Sequence, residues 1–331
     1  MSAAGTGLSA IYDGNGNQLI PPVNIPTGAG QTPPSEPTGQ VFNGDDAAFN
    51  GDRFIFVTEN GTIAGWQPSM GTQAMLRVDN SSREAIYKGA TIAKDASGAS
   101  RLFAADFHNA KVDVFDSGYT QLSTTGNFTD AQVPGGFAPF NVQEVNGAVL
   151  VAFAKQNDEQ EDEVKGMGLG YVDLFNMDGA LLQRVVSQGD LNAPWGMVMT
   201  PSTFGSAPSR LLIGNFGDGM IHVYNWSPTT TRQTIIPPPT AATATPEGAL
   251  RDRAGNALAI DGLWDLKFGV DAGGFSSRVL YFTAGPDDET HGVFGRLEPA
   301  TLEQPGGTGG AGGSGTSGAG GSGTTGAGGR Y

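Results

Sequence analysis

The chain has 331 residues, no cysteine and a formal net charge of −15. Without thiols, disulfides, thiolate metal sites and a cysteine nucleophile are excluded, and so acidic a chain lacks the lysine and arginine surface that nucleic-acid phosphates require. No stretch approaches the roughly 18 consecutive apolar residues of a membrane-crossing helix, and the start shows neither the basic region nor the apolar core of a signal peptide.

In chain order, one phrase recurs: an apolar run, a polar turn and a second, alternating run. A worn copy lies at Ser9 (LSAIYDGNGNQLI). Fuller copies span 54–66, 102–116, 149–176, 211–225 and 279–297, and the first apolar residue of their second strand is Ile63, Val112, Val172, Ile221 and Val293. Repeats of about 40 to 50 residues rich in short strands predict propeller blades. Each hairpin follows a Pro- or Gly-marked apolar segment, at 37–43, 87–94, 137–145, 193–200 and 260–268, which predicts a first strand. A turn and a further apolar pair after the hairpin, as at 115–122 and 175–186, supply a fourth. No helix-length window has a 3.6-residue period. The expected architecture is all-β: a six-bladed propeller of four-stranded antiparallel blades over residues 1–300.

The first copy contains only its third and fourth strands, so the first blade is incomplete. The expectation is that the missing strands lie before Met1, in a longer gene that also encodes an export signal. The alternatives are a ring that closes differently or has five blades. Two insertions decorate the ring. The acidic one, 157–168, sits inside a central hairpin and reads as a solvated charged loop; the Pro- and Thr-rich one, 227–247, reads as an extended surface loop. Residues 301–331 are a Gly/Ser/Thr-rich tail that buries too little apolar area to order itself and reads as a disordered tether.

If the first strand of each blade runs down and the second returns, the second-to-third turns share one face with the entries into the first strands. That places Asp106, Asn109, Asn141, Trp195, Asn215, Asp261 and Trp264 around one mouth, as candidate binding residues. Asp and Asn in tight hairpins also stabilise turns by local hydrogen bonds, and a tryptophan opening a first strand either wedges two blades or floors a pocket. Both readings stand for these residues. His108, His222 and His291 occupy different positions in their repeats, which excludes a symmetric histidine ring; His291 is the histidine to test as an acid or base. Lys155 either presents an ammonium at the mouth or pairs with the acidic insertion. There is no G-x-S-x-G elbow, phosphate-binding glycine loop or H-E-x-x-H.

The segment LFAADFHNAKVDVFD (102–116) resembles an NHL repeat. GTIAGW, FHNAKVDVFD, GFAPFNVQ, LNAPWGM, IGNFGDG, IDGLWDLKFG and FTAGP…HGVFG, in that order over residues 5–297, resemble an uncharacterised bacterial family of exported, six-bladed, NHL-like propellers. That resemblance implies a secreted, periplasmic or cell-surface location, and an Asn-Pro-Trp-Gly strand ahead of the Tyr-Asp-Gly at 12–14. It brings no established activity.

Two functions follow as expectations. The first is a monomeric binding scaffold, surface-tethered by its tail, whose mouth takes a protein, peptide or carbohydrate. The second is a calcium-dependent hydrolase or lactonase, with Ca²⁺ held in the channel by Glu59, Asn141, Asn215 and Asp261 from different blades. A structural Ca²⁺ in the acidic loop at 158–163 is a third reading.

Overall fold

A computed structural model describes residues 1–204, 209–228 and 242–299. Six antiparallel sheets follow one another along the chain. The first is β1 (Ser2–Ala3), β2 (Leu8–Ser9) and β3 (Val23–Asn24). The second holds β4 (Pro37–Phe42), β5 (Phe54–Thr58), β6 (Thr62–Trp66) and β7 (Met75–Asp79); the third β8 (Tyr87–Lys94), β9 (Ser100–Asp106), β10 (Lys111–Phe115) and β11 (Gln121–Leu122). The fourth is β12 (Phe137–Val145), β13 (Ala148–Lys155), β14 (Gly170–Phe175) and β15 (Leu181–Ser187), and the fifth β16 (Pro194–Met199), β17 (Arg210–Asn215), β18 (Ile221–Asn225) and β19 (Thr245–Ala249). The sixth has β20 (Leu263–Phe268), β21 (Leu280–Ala284) and β22 (Val293–Leu297). Among the described residues, helix is confined to four three-residue 3₁₀ turns.

The first strands of consecutive sheets touch in order, β1 with β4, then β8, β12, β16 and β20. Each middle sheet is buried on both faces, which is why its strands read as continuous apolar runs. Side chains alternate across a strand, and the two faces serve different neighbours. Leu102 and Ala104 pack with Ile55 and Val57 of the sheet before, while Phe103 and Ala105 pack with Val149 and Val151 of the sheet after. Leu150 and Ala152 then meet Leu211 and Ile213, and Leu212 meets Leu263 and Leu280.

Two expectations change. Ser2–Ala3 lies beside β4, so the N-terminal segment supplies a short inner strand where only outer ones were expected. The ring then closes through Tyr12 stacked on Phe294 at 6.0 Å and the Gly14 amide donating to the Gly273 carbonyl at 3.2 Å. An apolar cavity of about 240 Å³, lined by Phe268, Val270, Phe275, Tyr281, Phe282 and Phe294, opens on the same sheet. The expected surface loop 227–247 ends in the fourth strand of its blade, since β19 begins at Thr245; residues 229–241 and the tail 301–331 lie outside the described residues.

One buried polar group between sheets sets a pH dependence. Asp173 on β14 is 1% exposed and leaves Oδ2 without a partner, beside the Asp130–Arg184 ion pair. Burial first, and then the Asp130 charge, push its carboxyl well above the ordinary 3.8, against the pull of Arg184. A raised folded value means the stabilisation is fully present below 3.8 and is lost as pH rises toward the raised value. Asp173→Asn is therefore expected to match or exceed the wild type in stability at about pH 7, with a flatter profile above about pH 4. Urea midpoints measured across pH check this; a large loss at neutral pH is the contrary result.

Candidate functional site

Two repeated features build one mouth. At the top of five sheets, the amide just past the second strand donates to the carbonyl that precedes the first. The pairs are Glu59 to Glu36, Phe107 to Ile86, Gln156 to Gly136, Phe216 to Ala193 and Gly285 to Gly262, at 2.7–2.9 Å. The second-to-third turns and the first-strand entries therefore share a face, as the repeat predicted. In the same five sheets the first strand breaks register near its start, between Pro37 and Gln40, Tyr87 and Ala90, Pro139 and Asn141, Pro194 and Met197, and Leu263 and Leu266. Such bulges re-aim side chains. Lys88, Phe140, Trp195 and Trp264 stand at these breaks.

The rings converge. Phe216 stacks on Trp264 at 4.2 Å, Trp195 meets Trp264 edge-on at 5.4 Å, and Phe140 lies 5.9 Å from Trp264 and 5.4 Å from Phe107. With Ala138, Ala154 and Ala193 they form one apolar cluster drawn from four sheets. Glycines at the bulges let the first strands approach: a Cβ on Gly89 would collide with the Asn141 Oδ1, and one on Gly196 would stand 2.7 Å from the Trp264 carbonyl oxygen.

Charge surrounds the rings. Lys88 is 2% exposed; its Nζ lies 2.6 Å from Glu59 Oε1, 3.2 Å from Asp162 Oδ1 and 5.8 Å from the Phe107 ring centre. Burial lowers the Lys88 ammonium, but Glu59, Glu163 and Asp162 together outweigh it and the net shift is upward. Asp162 belongs to the acidic insertion, which folds inward over the mouth rather than only standing in solvent. Its neighbour Glu163 is pushed up to about 7 by burial, against the pull of Lys88. Trp264 Nε1 donates to Glu289 Oε1 at 2.6 Å, and Glu289 is raised by burial and also by the Glu59 charge.

The sequence-predicted residues distribute unevenly. Trp195 and Trp264 meet in the mouth. Asp106 is fully buried and braces its turn, accepting from the Ile86 and Asn109 amides and from Asn109 Nδ2, which also donates to the Arg83 carbonyl. Asn141 is buried, donates to the Trp195 carbonyl at 2.7 Å and ties two first strands together. Asn215 is buried and donates to the Asp190 carbonyl at 2.8 Å; Asp261 is exposed and accepts from the Asp287 amide. Of the four proposed calcium ligands, then, Glu59 pairs with Lys88, the Asn141 Oδ1 accepts from the Val142 amide and Asp261 from the Asp287 amide, while the Asn215 Oδ1 is buried without a hydrogen-bond partner. Among the described residues no group of three His, Asp or Glu side chains is arranged to hold a metal. Lys155 lies 5.5 Å over the Phe137 ring, and the lysine that pairs with Asp162 of the insertion is Lys88. The His291 side chain is 69% exposed, 3.6 Å from Asp287.

No family model matches the chain. It is similar to an uncharacterized protein of Acanthamoeba polyphaga mimivirus, 27% identical over 301 residues that cover 86% of this chain and 68% of that protein. A second uncharacterized protein of the same virus is 28% identical over 300 residues, covering 86% and 73%. These relatives are viral and lend the bacterial, exported part of the resemblance no support. Among solved structures, one described as a putative gluconolactonase superposes with a TM-score of 0.51 at 16% identity, covering 89% of this chain and 88% of that one. The fold is a six-bladed β-propeller. At that identity the likeness speaks to the propeller alone and not to its chemistry.

Proposed function

We propose that this propeller is a binding scaffold and not a catalyst, presenting its mouth to a basic peptide or protein partner outside the cell or at its surface. The observation that carries the reading is the filling of the mouth. Phe107, Phe140, Trp195, Phe216 and Trp264 occupy it, and above them Glu59 is bound to Lys88 and Glu289 to the Trp264 indole. A hydrolase of the calcium-dependent kind needs an open channel and several free oxygens around the cation; here Glu59 holds Lys88 instead. The acidic net charge favours a basic partner, and the glycine-rich tail of the sequence suits a tether.

Calcium calorimetry on the wild type and on a Glu59→Gln, Asp261→Asn variant, with a parallel assay of gluconolactone hydrolysis, tests the reading. The expected result is no calcium-dependent hydrolysis and no tight binding that the variant loses. Tight binding abolished in the variant, together with hydrolysis in the wild type, would replace the scaffold by an enzyme.

A further inference from the structure

We infer that the mouth contains a subsite for an alkylammonium group, the side chain of a lysine on a basic partner, and that Lys165 of the acidic insertion fills it in cis. The inference rests on the scaffold reading and names its ligand class. Lys165 is an exposed loop residue, yet its Nζ lies 4.4 Å from the centre of the Phe216 ring. Phe216 is backed by Trp264, whose indole is fixed by Glu289. An ammonium above an aromatic face with carboxylates at its edge is the arrangement that recognises lysine and its relatives.

The surrounding charge favours a cation there. Glu36, Glu59, Asp162, Glu163 and Glu289 form an acidic group around Lys88 and Lys165. Glu36 and Glu289 are each raised by burial and by the Glu59 charge, and Glu163 by burial and by the Asp162 charge. Lys88 acts on Glu163 and Glu289 but is itself bound to Glu59 and Asp162, and Lys165 is the second ammonium that acts on both carboxylates. A divalent metal fits less well. It needs about six oxygen ligands, and here Glu36 accepts from Asn60, Glu289 from Trp264 and Glu59 from Lys88.

The loop that carries Lys165 is anchored on both sides. The Val164 amide donates to the Lys155 carbonyl at 2.7 Å, the Gly166 amide to Asn192 Oδ1 at 2.6 Å and the Gly168 amide to the Leu191 carbonyl at 2.8 Å. So short a tether gives the intramolecular lysine a high effective concentration, and an incoming lysine must displace it. The wild type is accordingly a self-occupied form.

The test titrates the full chain and Lys165→Ala with N-acetyl-lysinamide and with its uncharged analogue N-acetyl-norleucinamide, read by tryptophan fluorescence. Lys165→Ala is expected to bind the lysinamide at least about ten-fold more tightly than the wild type, to gain nothing for the norleucinamide, and to lose the gain when Glu289→Gln is added. Equal binding by wild type and Lys165→Ala, or an equal gain for both ligands, would overturn the subsite. Melting curves on Lys165→Ala and Lys165→Gln show whether the loop keeps its place; a gain in Lys165→Gln as well supports displacement of the charge over loss of fold. Maltotetraose serves as a further probe: sugar binding without lysinamide binding overturns the ligand class and leaves the scaffold, whereas calcium-dependent hydrolysis overturns the scaffold itself.

Discussion

Replacing Asp52 by alanine is expected to lower the free energy of unfolding by about 4 kcal/mol, the scale for removing one partner of a buried, hydrogen-bonded ion pair. The Asp52 carboxylate is fully buried and receives Arg77 Nε and Nη2, each at 2.7 Å, and the Tyr119 hydroxyl at 2.7 Å. Arg77 lies on β7 and Tyr119 in the next blade, so this carboxylate joins two blades as well as two strands. The site has no slack, because a Cβ on Gly65 would collide with Asp52 Oδ2. Alanine leaves a guanidinium 14% exposed without its bidentate acceptor and a buried phenol without any. Urea unfolding of Asp52→Ala, Arg77→Met and the double variant measures the effect. The double variant should lose less than the two single losses summed; strict additivity, or a loss below about 1 kcal/mol in Asp52→Ala, would show that the network is not coupled.

The second large effect belongs to the mouth. Glu59→Gln should cost about 3 kcal/mol, because the Lys88 ammonium, 2% exposed, keeps only Asp162, whose side chain is 67% exposed. Lys88→Met should cost less, since the freed Glu59 is 28% exposed and can take up water. The two changes together should cost less than Glu59→Gln alone, because no buried ammonium is left without its main carboxylate, and Asp162, which also loses Lys88, is 67% exposed. The pH dependence distinguishes this from a packing defect. In the wild type the Lys88 value is raised above 10.5, so the stability it contributes is fully present below pH 10.5 and is lost as pH rises through the raised value. Without Glu59, burial dominates and lowers the ammonium; the unfolded chain then binds more protons than the folded one and stability rises with pH up to 10.5. The two curves should converge in alkali. Parallel curves would mean that Glu59→Gln acts through packing alone.

Much of this architecture is legible in the sequence because blade-to-blade packing buries both faces of every middle strand. The strand whose alternation divides Leu102 and Ala104 from Phe103 and Ala105 is written in the chain as an unbroken apolar run. The shared face of the turns is legible for a similar reason, since it follows from strand direction. At the site, Trp195 and Trp264 face the mouth, whereas the polar residues that stand out in the sequence lie one place away from those that do. Asp106, Asn141 and Asn215 stand out as polar residues at turns, but they point into the framework and hold it. Their sequence neighbours Phe107, Phe140 and Phe216 face the mouth, since successive side chains on a strand point to opposite sides. Glu59 reaches the mouth because it occupies the position of Phe107 and Phe216 in its own repeat. Lys88 is hidden by its type. It shares the bulge position of Trp195 and Trp264, which only a register-by-register comparison of the first strands brings out. The inward fold of the acidic insertion is not legible, because composition records its charge and not the buried ammonium it meets.

The closure of the ring has a mechanical consequence. Successive middle blades grip each other through apolar clusters of interdigitated side chains, whereas among the described residues the last and first blades meet at an aromatic stack and a backbone hydrogen bond beside closely packed glycines, next to a cavity. A circular assembly with one soft joint behaves like a split washer. Thermal breathing concentrates at the split, and the stiff arc beyond it carries the Lys88 mouth almost as a rigid body. Slow amide exchange should therefore belong to the arc and fast exchange to the seam. A ring made this way can flex at its joint without disturbing the mouth.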